Sequence, residues 1–175
     1  MAPPERERAR SLLNRHIAPR APLHDVPMGR VLLGALVVGT LDITYAIVFW
    51  VPRGAKVIRI FQSVASGLLG PDSFQGGVPT ALLGAALHYF IALAIVTTYW
   101  AAARSIPLLV RHPIVCGALY GVGVYCVMNY VVIPLSNAKQ GKFLLSWVVC
   151  SVIVHAFLIG VPAALFARPA RPTST

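Results

Sequence analysis

VLLGALVVGTLDITYAIVFWV, residues Val31–Val51, is an apolar run with a single acid, Asp42, near its centre. About 20 apolar residues at ~1.5 Å rise each match a hydrocarbon core ~30 Å thick, so the run is long enough to cross a bilayer. A carboxylate at that depth opposes insertion by roughly 2.5–3.5 kcal/mol. It needs a partner inside the protein, and the remaining apolar runs are where that partner must be sought.

The rest of the chain shares this character. Of 175 residues, 57% are hydrophobic and 11% charged, and the mean hydropathy is +0.74. Soluble domains carry about 25% charged residues, so composition points to a membrane protein. Fifteen Lys and Arg against five Asp and Glu leave a net charge of +10. The basic residues sit in flanks and loops between apolar runs, where they set topology and do not build a phosphate-binding face; nucleic acid is not an expected partner. Cys116, Cys126 and Cys150 fall within apolar runs. An odd number without C-x-x-C spacing supplies neither a disulfide framework nor a zinc site, so they read as small packing residues. No H-E-x-x-H, no G-x-S-x-G and no pair of acids within a span supports hydrolysis, and an enzyme is not the expectation.

Upstream of the opening run, residues 1–30 form a basic segment with Arg6, Arg8, Arg10, Arg15, Arg20 and Arg30. Leu12, Leu13 and Ile17 fit one apolar edge of a short surface helix; simple disorder fits equally. The run at 31–51 exceeds a signal-peptide core and no A-x-A site closes it, so it is read as retained. Glu5 and Glu7 count against a mitochondrial transit peptide.

Downstream, Pro52-Arg53-Gly54 ends the first span. Residues 55–70, AKVIRIFQSVASGLLG, are too short and too polar to cross. Arg59, Gln62, Ser63 and Ser66 recur at helical spacing, with Val57, Ile58, Phe61, Val64, Ala65 and Leu68 on the opposite side. That pattern is an amphipathic helix, re-entrant or interfacial, in the first outer loop. Residues 71–79 carry turn chemistry. Three further spans follow at about 80–103, 114–133 and 143–167, holding His88, Asn129 and His155, and a short tail closes the chain at 168–175. Pro162 is expected to kink the last span and release a carbonyl one turn earlier. The fold expected is an all-α integral membrane protein of four transmembrane helices plus the amphipathic one.

Charge placement sets the orientation. With both termini in the cytoplasm, ten basic residues lie inside against five outside (Arg53, Lys56, Arg59, Lys139 and Lys142), the bias that fixes membrane topology. Counting 1.5 Å per residue from the outer boundary puts Asp42 ~13 Å deep, His88 ~12 Å, Asn129 ~8 Å and His155 ~18 Å. One polar layer results, and Asp42 and His88 match best. Small residues share these faces: Ala35, Gly39 and Ala46 with Asp42; Gly84, Ala85 and Ala92 with His88; Gly117 and Gly121 with Asn129. Such faces let helices approach closely and should point into the bundle.

Three functions are compatible with this layer. A small-solute or proton path would use the Asp42–His88 pair, with Asn129, His155, Tyr125 and Gln62 extending it. Four helices enclose little volume, so that reading invokes a homo-oligomer. A structural or assembly protein would use the layer only to fix helix register. A membrane redox protein would bind haem b between His88 and His155. The shared H-x-F of His88-Tyr89-Phe90 and His155-Ala156-Phe157 is compatible with two hairpins in parallel repeat.

LDITYA (41–46), QSVASGLLG (62–70), FQGG (74–77), LGAALHYF (83–90) and VMNYVVIPLS (127–136) resemble a family of small four-span bacterial inner-membrane proteins with no assigned function. The resemblance covers roughly residues 31–167. It implies four spans and a bacterial inner membrane, and supplies no substrate and no catalytic residue.

Overall fold

The computed structural model describes residues 26–139, 141 and 143–168. The expected surface helix around Leu12 and Ile17, Lys142 and all of the tail after Arg168 lie outside the described residues. Every regular element among the described residues is helical. Four helices are long and apolar enough to cross a membrane. They are joined by two shorter ones. In chain order these are α1 (Met28–Trp50), the amphipathic α2 (Val57–Leu69), α3 (Gly77–Ser105), the short α4 (Pro107–Arg111), α5 (Pro113–Leu135) and α6 (Leu145–Phe166).

The boundaries follow local chemistry. Pro52 sits in the tight turn Val51–Arg53 that ends α1, and Gly54 takes φ 93°, a left-handed conformation that glycine adopts without strain. α3 begins at Gly77, earlier than the expected Thr80, because Pro79 falls in its first turn, where a missing N–H costs nothing. The third span does not stop at Ile133 as expected: α5 runs through Pro134 to Leu135. The five residues before that proline's turn, Met128–Val132, widen into a π-helical turn. α6 does the same at His155–Gly160, ahead of Pro162. In a regular helix each ring would strike the carbonyl four residues back, at Tyr130 and Leu158. Both carbonyls lie inside the wide turns, which absorb the clash.

α1 packs along α3 on one side and α6 on the other, and α5 packs on α6. The small-residue faces are the contact surfaces. A Cβ on Gly39 would press on Tyr89 and Ala92, one on Gly117 on the Gly160 carbonyl and Ala164, and one on Gly121 on the His155 carbonyl. The end of the bundle carrying α4 is closed by an apolar plug that includes Val31, Ala35, Val96 and Ala163. Tyr99 donates to the Leu109 carbonyl at 3.1 Å and Tyr120 to the Ile95 carbonyl at 2.7 Å, with their rings 5.1 Å apart. On the outer faces Leu36, Val48, Leu82, Phe90, Leu119 and Phe157 stand exposed. A surface of this kind is suited to lipid and unsuited to water.

α2 docks on the first half of α3, where Gly84 leaves room for the Phe61 carbonyl and the Ala65 amide. The Gln62 amide donates to the Gly77 carbonyl at 3.0 Å and to Thr80 Oγ1 at 3.3 Å. Asn137, from the loop after α5, donates its backbone N–H to the Gly67 carbonyl at 3.0 Å and its side-chain amide to the Leu68 carbonyl at 2.9 Å. The polar stripe of α2 is divided: Gln62 and Ser66 are buried together with Ile60 and Ala65, while Arg59 and Ser63 stay exposed. Gln62 is 2% and Ser66 6% exposed, whereas Val57 is 44% and Leu68 57% exposed.

Candidate functional site

Because Gly39 lets α1 and α3 close on each other, Asp42, three residues further along α1, is brought beside His88. The Asp42 Oδ2 to His88 Nδ1 distance is 4.0 Å, with the side chains 32% and 11% exposed. At that separation the two interact through charge and do not form a direct hydrogen bond. His88 Nε2 lies 2.8 Å from the Gly39 carbonyl. A carbonyl only accepts, so Nε2 carries a proton and donates it. The ring is thereby fixed with Nδ1 toward the carboxylate.

His155 is held in the opposite sense. Its Nδ1 lies 2.8 Å from the Ser151 carbonyl one turn back, so Nδ1 is the donor and Nε2 is left over. Its ring meets Tyr125 edge-on at 5.3 Å. Ser151 Oγ in turn shares a hydrogen bond of 3.0 Å with Tyr45 of α1. Tyr45 stacks on Trp147 at 5.1 Å and 9°. Asn129, in the π turn of α5, donates to the Tyr125 carbonyl at 2.9 Å.

These groups surround a cavity of about 510 Å³ in the half of the bundle that carries α2. Asp42, His88, Tyr125, Asn129 and His155 all line it, so five of the six residues singled out in the sequence converge on one chamber. Gln62 does not line it; its amide is spent on holding α2 to α3. Val38, Ile95 and Ile159 make an apolar floor against the plug. All of the lining comes from a single chain.

Arg59 of α2 and Lys139 of the loop after α5 also line the chamber, together with Trp50 and Trp147. Sequence reasoning missed these four. The basic pair was read as topology signal, and Arg59 also as part of the polar stripe of α2, because nothing in a linear pattern shows that both segments line the same chamber. For the aromatics there was a usable signal: Trp50 and Trp147 fall near the same end of their spans.

The parallel-repeat echo finds little in the local geometry. His88 sits in a regular helix and bonds to a neighbouring helix, whereas His155 opens a π turn and bonds within its own. The likeness between α5 and α6 is instead a π turn followed by a proline in each. For a haem between the two histidines, the Nε2 of His155 is free but that of His88 is spent on Gly39, leaving the nitrogen that faces Asp42. Among the described residues no group of three His, Cys, Asp or Glu side chains is placed to hold one metal ion. No protein-family model, no curated protein and no solved structure matches this chain.

Proposed function

We propose that the chain is a multi-pass inner-membrane protein that takes up a small solute into its chamber from the side bearing α2, with Asp42 and His88 handling a proton. The ten-to-five charge split supports cytoplasmic termini, which turns the mouth of the chamber outward. The outward apolar residues of α2 suit a helix lying at the lipid boundary.

The observation that carries this reading is how the polar groups are used. A layer that only fixes helix register would satisfy its members against one another, since unpaired polar groups in a dry interior are costly. Here each imidazole spends one nitrogen on a backbone carbonyl and presents the other toward a chamber. The Asp42 carboxylate keeps a 4.0 Å gap from its neighbour. That is unspent binding capacity around a space of solute size. A plugged far end further supports stepwise access over an open channel.

The test uses a cysteine-free background with single cysteines at Ala46 and Met128 in the chamber and at Leu82 on the outer face. A membrane-impermeant thiol reagent applied from outside should modify the first two and spare the third. Pyranine-loaded proteoliposomes pulsed with small amines, amino acids, carboxylates and sugars should then change internal pH for at least one class, with the response lost in Asp42→Asn. Unreactive chamber cysteines, or no class giving a response above protein-free vesicles, would leave the layer as packing alone.

A further inference from the structure

We infer that the chamber receives an alkylammonium head group at Asp42, which enters in exchange for one proton held by the Asp42–His88 pair. This rests on the reading of the chamber as a solute site and names the chemistry of the solute.

Three polar side chains of the inner chamber each spend one N–H on a backbone carbonyl. The Nε2 proton of His88 goes to the Gly39 carbonyl, the Nδ1 proton of His155 to the Ser151 carbonyl, and the Asn129 amide to the Tyr125 carbonyl. What those three side chains retain is His88 Nδ1, His155 Nε2 and Asn129 Oδ1, which accept when the imidazoles are neutral, and the second N–H of the Asn129 amide. Asp42 adds two carboxylate oxygens. Acceptors outnumber the remaining donors, the second Asn129 N–H and the Tyr125 hydroxyl, and with one acid among them they favour an occupant rich in N–H and positively charged. The stacked Tyr45 and Trp147, with Trp50 5.2 Å from Trp147, add aromatic faces to the same chamber, and these attract cations.

The charge balance follows from the same geometry. Because Nε2 is committed as a donor, His88 Nδ1 and Asp42 Oδ2 face each other with one site for a proton between them. With that proton the pair is neutral, whichever atom bears it. Without it the pair carries one negative charge. An entering ammonium supplies one positive charge as the proton leaves to solvent, so the inner chamber stays neutral throughout. The titratable groups lining the chamber are Asp42, His88, His155, Tyr45 and Tyr125, with Arg59 and Lys139 as fixed cations. The two cations oppose a bare cation at the mouth and favour a solute whose far end is anionic.

Isothermal titration calorimetry on the wild-type protein in nanodiscs separates the possibilities with four probes. Ethylammonium carries the head group alone, 5-aminopentanoate adds a carboxylate, tetramethylammonium has charge without N–H, and propanoate has the anion alone. The first two should bind, with tetramethylammonium and propanoate at least about tenfold weaker, the size expected when hydrogen-bonding groups are left unpaired. Runs in two buffers of different ionisation enthalpy should give about one proton released per ammonium bound, and affinity should fall by about tenfold per pH unit once the pair is protonated. Tighter binding of 5-aminopentanoate that Arg59→Ala reverses would assign the mouth to the anionic end; equal binding would assign a simple amine. Asp42→Asn should abolish proton release. Binding of propanoate without the amines, equal binding of tetramethylammonium, or no proton release would overturn the assignment while leaving a solute chamber. Binding of no probe at all would overturn both.

Discussion

Gly121→Ala is the sharpest probe of how α5 and α6 are held together. A Cβ at this position would overlap the carbonyl of His155 and approach the Ala156 Cα at 2.9 Å. Both are backbone atoms of the facing helix, so no side-chain rotation relieves the clash; α6 must move. In a helix, Ala is favoured over Gly by about 0.8–1.0 kcal/mol. Overpacking typically costs about 1–3 kcal/mol, and the upper part of that range applies where backbone must shift. The net expectation is a loss of about 1–2 kcal/mol. Gly123, two residues along the same helix, has nothing within 4 Å of its added Cβ. There the propensity gain stands alone, so Gly123→Ala should be neutral or stabilising by up to about 1 kcal/mol. The two variants should therefore differ by about 2–3 kcal/mol. Equilibrium unfolding in mixed micelles with increasing SDS, followed by circular dichroism, measures that difference. Equal stabilities, or Gly123→Ala as the weaker of the two, would refute the close approach of α5 to the π turn of α6.

In a double-mutant cycle, Asp42→Asn and His88→Gln should each cost about 1–3 kcal/mol because the partner loses its compensating charge or proton. Their effects should fall short of additivity by more than about 0.5 kcal/mol in the same unfolding assay, and strict additivity would separate the residues. Gln62→Ala removes two hydrogen bonds from α2 to the start of α3 and leaves the chamber lining intact. It should raise hydrogen exchange across Val57–Leu69 by about tenfold or more, taking about 1 kcal/mol per bond, with no change at Asp42.

The four helices of membrane length were legible because length and hydropathy are local properties, and the match of Asp42 with His88 was legible because depth is a simple count along two helices. Asn129 and His155 were placed in the layer by the same count. What they do there was not readable, because the π turns that carry them leave the hydrophobic pattern unchanged. Pro162 was the visible trace of one such turn, and Pro134, just past the end expected for the third span, was the trace of the other. Gln62 illustrates a different gap. Amphipathicity gives two faces of a helix but not which one meets the protein. In α2 the inward face mixes both kinds: Gln62 bonds to the start of α3, Ser66 bonds back to the Ser63 carbonyl of its own helix, and Ile60 and Ala65 are buried beside them, while Val57 and Leu68 stand exposed. Arg59 and Lys139 reach the chamber through loop folding, which no periodicity encodes.

The Gly39 carbonyl fixes His88 with its second nitrogen facing Asp42 in the wall of the chamber. Nitrogen-15 NMR of selectively histidine-labelled protein in nanodiscs, recorded across pH, reads both ring nitrogens directly. A neutral His88 is expected to carry its proton on Nε2 and leave Nδ1 bare, and a neutral His155 to carry its proton on Nδ1 and leave Nε2 bare. A neutral His88 protonated at Nδ1 would contradict this geometry.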